Sequence, residues 1–561
     1  MQTIEGCWDL GNVTWFDAWE ATAMFASRWL VMAVVLVGIG SLAASADEAL
    51  TARRKMTTQE LADWIDQRFF EEYQIAGLKV GEPVDDATFL RRAHLDLQGR
   101  VPTVAQIRDF IAESGSFKRQ DLVDRLLIET KQPDRFAQRS ADHLARVWRR
   151  MMIPASSPGA TMGTQLDPWL AKQFANNTPY DQIARKLLLV QLPQPPMPGA
   201  TPVTPMPAAD PDAAAAVFQQ AVGGTPENLA GAYVRVFLGI RINCAQCHDH
   251  PLTNWKRSDF WGIAALFGGA PAAADQPAPA PTIKPEPDKD LQFTAKLLWE
   301  PEPLKEIPAK KSSREVLADW LVSPDNKNFA ATAVNRVWQY LCGRGLSGPV
   351  DELDLIDDPS ERKVLDELAT LFKQSGHDIR WLIAGITKSK VYQQRVVPAT
   401  STGEFDGFVH RPLKTLLPEQ VFDSLEQALS LPIAKADNGP RWSGERDQFV
   451  TRMNESATDL PSDFKGGIPQ ALMLMNGRLT ADATNLETSR TLRAVVEAPF
   501  LPPAEKIEVL YLAALTRKPT TEEADFLLRH VKEQKTDAER KAAYAEIFWG
   551  LLNNPEFVLS R

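Results

Sequence analysis

The chain has 561 residues, of which 44% are apolar and 24% charged, so it holds ample material for a sizeable core and is neither a disordered chain nor a collagen. Its net charge of −10 argues against a nucleic-acid partner recognised through a basic surface. Four cysteines in this length exclude a disulfide-dense scaffold.

The N-terminus stands apart. Trp29 to Gly40 form an uncharged apolar run with Arg28 before it and Ala44-Ser45-Ala46 after it. Positive flank, short apolar run and A-x-A site describe a secretory signal, so residues 1–46 are expected to be a signal peptide and the protein to be exported, periplasmic or at the cell surface. The run is shorter than the roughly 20 residues of a spanning helix. An uncleaved N-terminal anchor is the alternative, and the membrane is expected as a partner only through it. Residues 1–23 carry Glu5, Asp9, Asp17 and Glu20 but no Lys or Arg, which points to Met24 as the true start.

The rest reads as mainly α. Thr57-Thr58-Gln59-Glu60 predicts a helix start ahead of Leu61, Trp64 and Ile65. Helical periodicity continues through 86–150, with a stop at Gly99 and a restart at Val101-Pro102-Thr103. A first helical domain is placed at 55–268, with a Pro/Ala-rich surface insertion at 192–217. A second Pro/Ala-rich stretch, 269–311, reads as a linker. Ser312 and Glu315 have capping-box spacing and open a second helical domain at 312–561. Its helices are expected near 328–342, 361–375, 379–391, 418–430, 503–516, 521–534 and 537–553.

The strongest chemical signal lies late in the first domain. Thr225-Pro226 starts a helix that runs toward Asn243-Cys244-Ala245-Gln246-Cys247-His248-Asp249-His250. Cys-x-x-Cys-His is the attachment sequence of haem c, in which the two thiols take the vinyl groups and the adjacent imidazole reaches the iron. Cys244, Cys247 and His248 are therefore the candidate cofactor residues. Trp255, Phe260, Trp261 and Phe267 follow closely, either as a haem-facing wall or as ordinary core. Two other readings stay open: a zinc site from Cys244, Cys247, His248 and His250, which lacks a second Cys-x-x-Cys or His pair, or a disulfide between the two cysteines. A sixth iron ligand is not assigned; His94, His143 and the methionines at 151, 152 and 162 are candidates, and structural roles are the natural reading of both histidines.

These motifs carry a resemblance. FLGIRINCAQCHDHPLTNWKRSDFWGIAALF (237–267) and RRAHLDLQGRVPT (91–103) resemble the cytochrome-type domain of unknown function abundant in secreted planctomycete proteins. SREVLADWLVSPDNKNFAATAVNRVWQYLCGRGLSGPVDEL (313–353), HRPLKTLLPEQVFDSL (410–425) and YAEIFWGLLNNPEFVLSR (544–561) resemble the partner domain that usually follows it. The resemblance implies export and a haem-type motif, with an otherwise undefined activity. Two positions depart from the pattern. Tyr340-Leu341-Cys342-Gly343 stands where relatives tend to have His-Leu-Phe-Gly, and Pro359-Ser360-Glu361-Arg362 where they tend to have Pro-Ser-His-Pro.

Weaker signals point to structure. Gly343-Arg344-Gly345-Leu346-Ser347-Gly348 has G-x-G-x-x-G spacing but follows a helix and precedes Pro349, so a helix end and turn is expected. Asn335 and Arg336 are expected to join a buried polar network with Asp351 or Asp354. The acids from Asp351 to Asp358 lack EF-hand spacing. No G-x-S-x-G, H-E-x-x-H or P-loop is found, which ranks hydrolytic chemistry last. The sequence thus predicts an exported haem-c protein passing electrons to or from an extracytoplasmic redox or envelope partner. The alternative is a non-haem envelope or surface-assembly protein braced by zinc or a disulfide.

Overall fold

The computed structural model describes residues 55–560 except 76, 78–80, 128–135, 155, 191–210, 269–274, 287, 289, 357–358, 397–411, 431–442, 455–471, 476, 478–479 and 482–483. The expected signal segment and most of the 192–217 insertion lie outside the described residues. With 63% helix and 4% strand the structure is mostly helical, as the sequence predicts. No helix among the described residues is long and apolar enough to cross a membrane.

Capping chemistry sets the helix ends where the sequence places them. Asp85 accepts the Thr88 N–H to start Asp86–Gln98, and Gly99, at φ 71°, ends it in the left-handed region. Thr103 with Gln106 and Ser312 with Glu315 both form capping boxes. Gly99 is required twice over: its φ suits glycine, and a Cβ there would press on the His143 ring.

Residues 57–561 form one compact unit. Helix Thr58–Ile75 packs on Ile379–Lys388, where a Cβ on Gly385 would overlap Leu61. Leu95 and Val101 sit in the same apolar core as Leu425, Leu510, Phe548 and Phe557. The helix Asp86–Gln98 is the centre of this arrangement, because every side chain from Phe89 to Gln98 is buried. Its polar members are satisfied by distant chain. Arg91 donates to the carbonyls of Ala514 and Phe557 at 3.0 and 2.8 Å, and Arg92 donates to those of Tyr392 and Gln394. Burying such groups is tolerable only with partners of this kind.

Within the stretch read as a linker, Ala278–Pro279 pairs antiparallel with Glu306–Ile307, and Thr282–Ile283 with Phe293–Thr294. The second pair lies against helix Arg257–Gly268, and the Lys296 N–H donates to the Gly262 carbonyl at 3.0 Å. Ala295, Leu298 and Ile307 are buried there. The Pro/Ala composition hid these few apolar anchors. The end of the 192–217 stretch is packed as well, with Ala215 and Ala216 buried and helix Ala216–Ala221 following.

Candidate functional site

The helix leading to the motif runs Pro226–Leu238, with Pro at its first turn as expected. It does not continue into the cysteines. Gly239, at φ 65°, ends it, and the chain re-forms as a 3-10 turn over Asn243–Gln246. Ile240, Ile242 and Ala245 are buried and anchor the turn. Cys244 and Cys247 are left exposed as free thiols, and His248 is exposed beside them.

The loop is held from behind. The Gln246 carbonyl accepts from Trp261 Nε1 at 2.9 Å and Arg257 Nε at 3.2 Å, and Asp249 accepts the Arg257 N–H at 2.9 Å. The two histidines then separate by role. His248 Nδ1 lies 2.7 Å from the Asp249 carbonyl, which only accepts, so Nδ1 carries a proton and Nε2 is the nitrogen this bond leaves for a ligand. His250 Nδ1 accepts the N–H groups of Leu252 and Thr253 at 3.2 and 3.1 Å, and the His250 backbone N–H donates to the Trp255 carbonyl at 2.8 Å. His250 therefore closes its own loop.

This donor set fits haem attachment: two accessible thiols and an imidazole whose orienting bond is of the kind that fixes metal-binding histidines. It suits zinc less well. Among the described residues no three or more His, Cys, Asp or Glu side chains are grouped to hold a metal ion.

The aromatic residues divide. Phe260, Trp261 and Phe267 are core, with Trp261 over Phe293 and Phe267 against Tyr233. Trp255 is only partly covered. Its Nε1 donates to Asp354 Oδ2 at 2.6 Å, and its ring lies 5.8 Å from Trp299, itself 5.8 Å from Trp320. Trp299 is 52% exposed and adopts φ 64°, an unusual conformation for a bulky residue. Nothing in the sequence singles out Trp299; three-dimensional contact alone brings it beside Trp255.

The two candidate axial histidines each have one ring nitrogen engaged by protein. His94 Nδ1 bonds the Leu90 carbonyl at 3.0 Å, and His143 Nε2 lies 2.6 Å from the Tyr340 hydroxyl. Burial lowers each to a pKa of about 4, with Arg146 adding to the effect at His143. Met151 and Met152 are buried, and their carbonyls accept from Arg235.

Asp351 joins the motif's neighbourhood to the second half. Its buried carboxylate pairs with Arg336, with Arg235 at 3.5 Å and with Arg241 at 3.5 Å. Burial alone would raise this carboxyl, yet Arg336, Arg235 and Arg241 hold it below the usual carboxylate range. Asn335 donates to the Ser347 carbonyl at 2.9 Å and accepts the Leu346 N–H at 2.6 Å. Helix Lys327–Cys342 ends at Gly343 with φ 87°. The glycine-rich run is thus a pinned helix end, and Asp351 is a partner of arginines rather than a cation ligand. Asp357 and Asp358 lie outside the described residues.

Residues 64–271 match the family model PSCyt2, a protein of unknown function (DUF1549), and residues 313–460 match PSD1, a protein of unknown function (DUF1553). The chain carries these two domains of unknown function in that order. The Cys-x-x-Cys-His loop falls in the DUF1549 match, while Asn335, Arg336 and Asp351 fall in the DUF1553 match. No curated protein and no solved structure matches the chain.

Proposed function

We propose that this chain is an exported c-type haem protein that accepts or passes single electrons for a process outside the cytoplasm. Cys244 and Cys247 would hold the haem as thioethers and His248 Nε2 would ligate its iron. Bound there, the group supplies one-electron redox chemistry. The chain's own part is to present and orient. The 3-10 turn exposes both thiols, the Asp249 carbonyl orients the His248 ring, and Trp261 and Arg257 brace the loop through Gln246. The observation that carries this reading is the His248 Nδ1–Asp249 bond beside two free thiols.

Production of the full chain in a host with a haem-maturation system tests it. The expected result is a Soret band, a pyridine haemochrome spectrum of the thioether type and a mass increase of one haem. A processed protein with neither band nor mass increase defeats the proposal.

A second reading is a non-haem envelope or surface-assembly protein. The exposed Trp299 beside Trp255, which follows the motif closely, favours it, since exposed aromatic side chains are common at contact surfaces. Metal analysis and thiol counting on the same sample separate it from the first: zinc or a Cys244–Cys247 disulfide without haem would support it.

A further inference from the structure

The last carbonyls of a helix have no donors within it and need partners from elsewhere. In helix Pro226–Leu238, which launches the cysteine loop, the Gly239 N–H returns to the Arg235 carbonyl. The other donors come from the DUF1553 match. Arg336 donates to the Arg235 carbonyl at 2.7 Å through Nη2 and to the Val236 carbonyl at 3.2 Å through Nε. Asn328 Nδ2 reaches the Leu238 carbonyl at 3.3 Å, and the Leu353 N–H reaches that of Gly239 at 3.0 Å. The approach is close enough that a Cβ on Gly239 would lie 2.8 Å from the Val350 carbonyl oxygen.

These donors are fixed to one another. Arg362 donates to Asn328 Oδ1 at 2.7 Å and to the Leu353 carbonyl at 3.2 Å. Asp351, paired with Arg336, also faces Arg235 in the helix and Arg241 in the stretch leading to Cys244.

The far end of the loop is held by the same short stretch. Trp255 Nε1 donates to Asp354 Oδ2 at 2.6 Å, and the Trp255 carbonyl accepts the His250 N–H at 2.8 Å. Asp354 thus fixes the indole, and the Trp255 backbone fixes the chain just after His248. Residues 350–354 therefore grip both the entry to the cysteine loop, at Gly239, and its exit, at Trp255.

We infer that Asp354 is a positioning residue of the cysteine loop, and that the DUF1553 segment thereby forms part of the cofactor site. The role toward haem rests on the function proposed above; the grip on the loop does not. A loop held at both ends keeps Cys244, Cys247 and His248 in one arrangement, so less conformational freedom is lost when a cofactor is attached. The DUF1553 segment carries none of these three residues and acts through their geometry.

Hydrogen exchange read by mass spectrometry, on the full chain prepared without haem and with its thiols reduced, tests the grip. Asp354→Leu removes the acceptor at similar size. Exchange over 240–256 should quicken about fivefold, the worth of roughly one hydrogen bond, while helix Pro503–Leu515 exchanges as in the wild type. Asp354→Asn keeps an oxygen acceptor and should restore slow exchange. Trp255→Phe removes the donor instead and should match Asp354→Leu, with the double variant adding nothing further. In haem-loaded protein the iron–histidine stretching band, read after photolysis of carbon monoxide, should shift or broaden in Asp354→Leu and recover in Asp354→Asn. Unchanged exchange at the loop, acceleration spread equally to the distant helix, or no rescue by asparagine would each overturn the positioning role. An unmoved band would overturn the assignment to the cofactor site. A chain that takes up no haem defeats the proposed function alone, because the exchange result still decides the role of Asp354.

Discussion

Lys414 Nζ donates to the carboxylate of Asp96, a residue with no exposed surface. Asp96 lies in the DUF1549 match and Lys414 in the DUF1553 match, so this ion pair locks the two together. Tyr392 donates to the other Asp96 oxygen at 2.8 Å, and the Tyr340 hydroxyl donates to the Asp96 carbonyl at 2.7 Å. Because that hydroxyl proton is committed to a carbonyl, His143 must donate through Nε2 to the Tyr340 oxygen. Tyr340 is one of the positions that depart from the resembled pattern, and here it links His143 to Asp96.

Asp96→Ala would take this carboxylate from the largely buried Lys414 ammonium. Removing one member of a buried pair costs about 3–5 kcal/mol. Tyr392→Phe removes one hydrogen bond and should cost about 1 kcal/mol. Urea denaturation followed by fluorescence and circular dichroism measures both. The wild type should unfold residues 57–561 in one cooperative transition. Two separated transitions, with Asp96→Ala affecting only one, would show that the lock does not couple the matched segments.

Stability should also respond to mild acid. His94 and His143 are lowered by burial from 6.5 to about 4, so the folded chain binds fewer protons than the unfolded chain between those values. Their contribution is complete above pH 6.5 and is lost as pH falls toward 4, at about 3 kcal/mol for each group. Asp66 acts in the opposite sense. Burial raises it to about 6, so its contribution is lost as pH rises from 3.8 through 6. Comparison of wild type with His143→Gln isolates one histidine. The variant's stability should change less steeply between pH 6.5 and 4, by about one proton in slope. An unchanged slope would mean that His143 is not neutral and buried in the folded state.

Much of this was legible in the sequence for local reasons. The caps at Thr103 and Ser312 and the stops at Gly99 and Gly343 follow from side chains within a few residues of each helix end. The Cys-x-x-Cys-His spacing is likewise local. What could not be read is long-range. Arg91, Arg92 and Asp96 look like the polar face of an amphipathic helix, yet all three are buried because their partners arrive from about 300 or more positions away. The strands at 278–307 escaped because each is two residues long, too short for an alternating pattern. The helix break at Gly239 was missed because apolar residues continue on both sides of it.

Close packing at Gly385 gives a third test. A Cβ there overlaps Leu61, where helix Thr58–Ile75 meets Ile379–Lys388. Gly385→Ala should therefore destabilise by about 1–3 kcal/mol, despite the better helix propensity of alanine. Leu61→Ala in the same chain opens the space and should recover part of the loss beyond additivity. A double-mutant cycle with no coupling would place the two helices farther apart than they are here.

Trp299 offers the sharpest test beside the cysteine motif. Its φ of 64° costs stability that glycine would not pay, while its ring contacts Trp255 and Trp320 at 5.8 Å each. Strain relief of about 1–2 kcal/mol and lost ring contacts of about 0.5–1.5 kcal/mol each should nearly cancel, so Trp299→Gly is expected to keep its fold. Its effect should appear at the motif. If haem is carried at Cys244, Cys247 and His248, removal of an indole beside Trp255 admits water and favours the more charged ferric state. The reduction potential should then fall and bound haem should become easier to reach for external ligands such as cyanide. Potentiometric titration of wild type and variant decides it. Equal potentials and equal cyanide binding would show that the tryptophan row packs away from the cofactor.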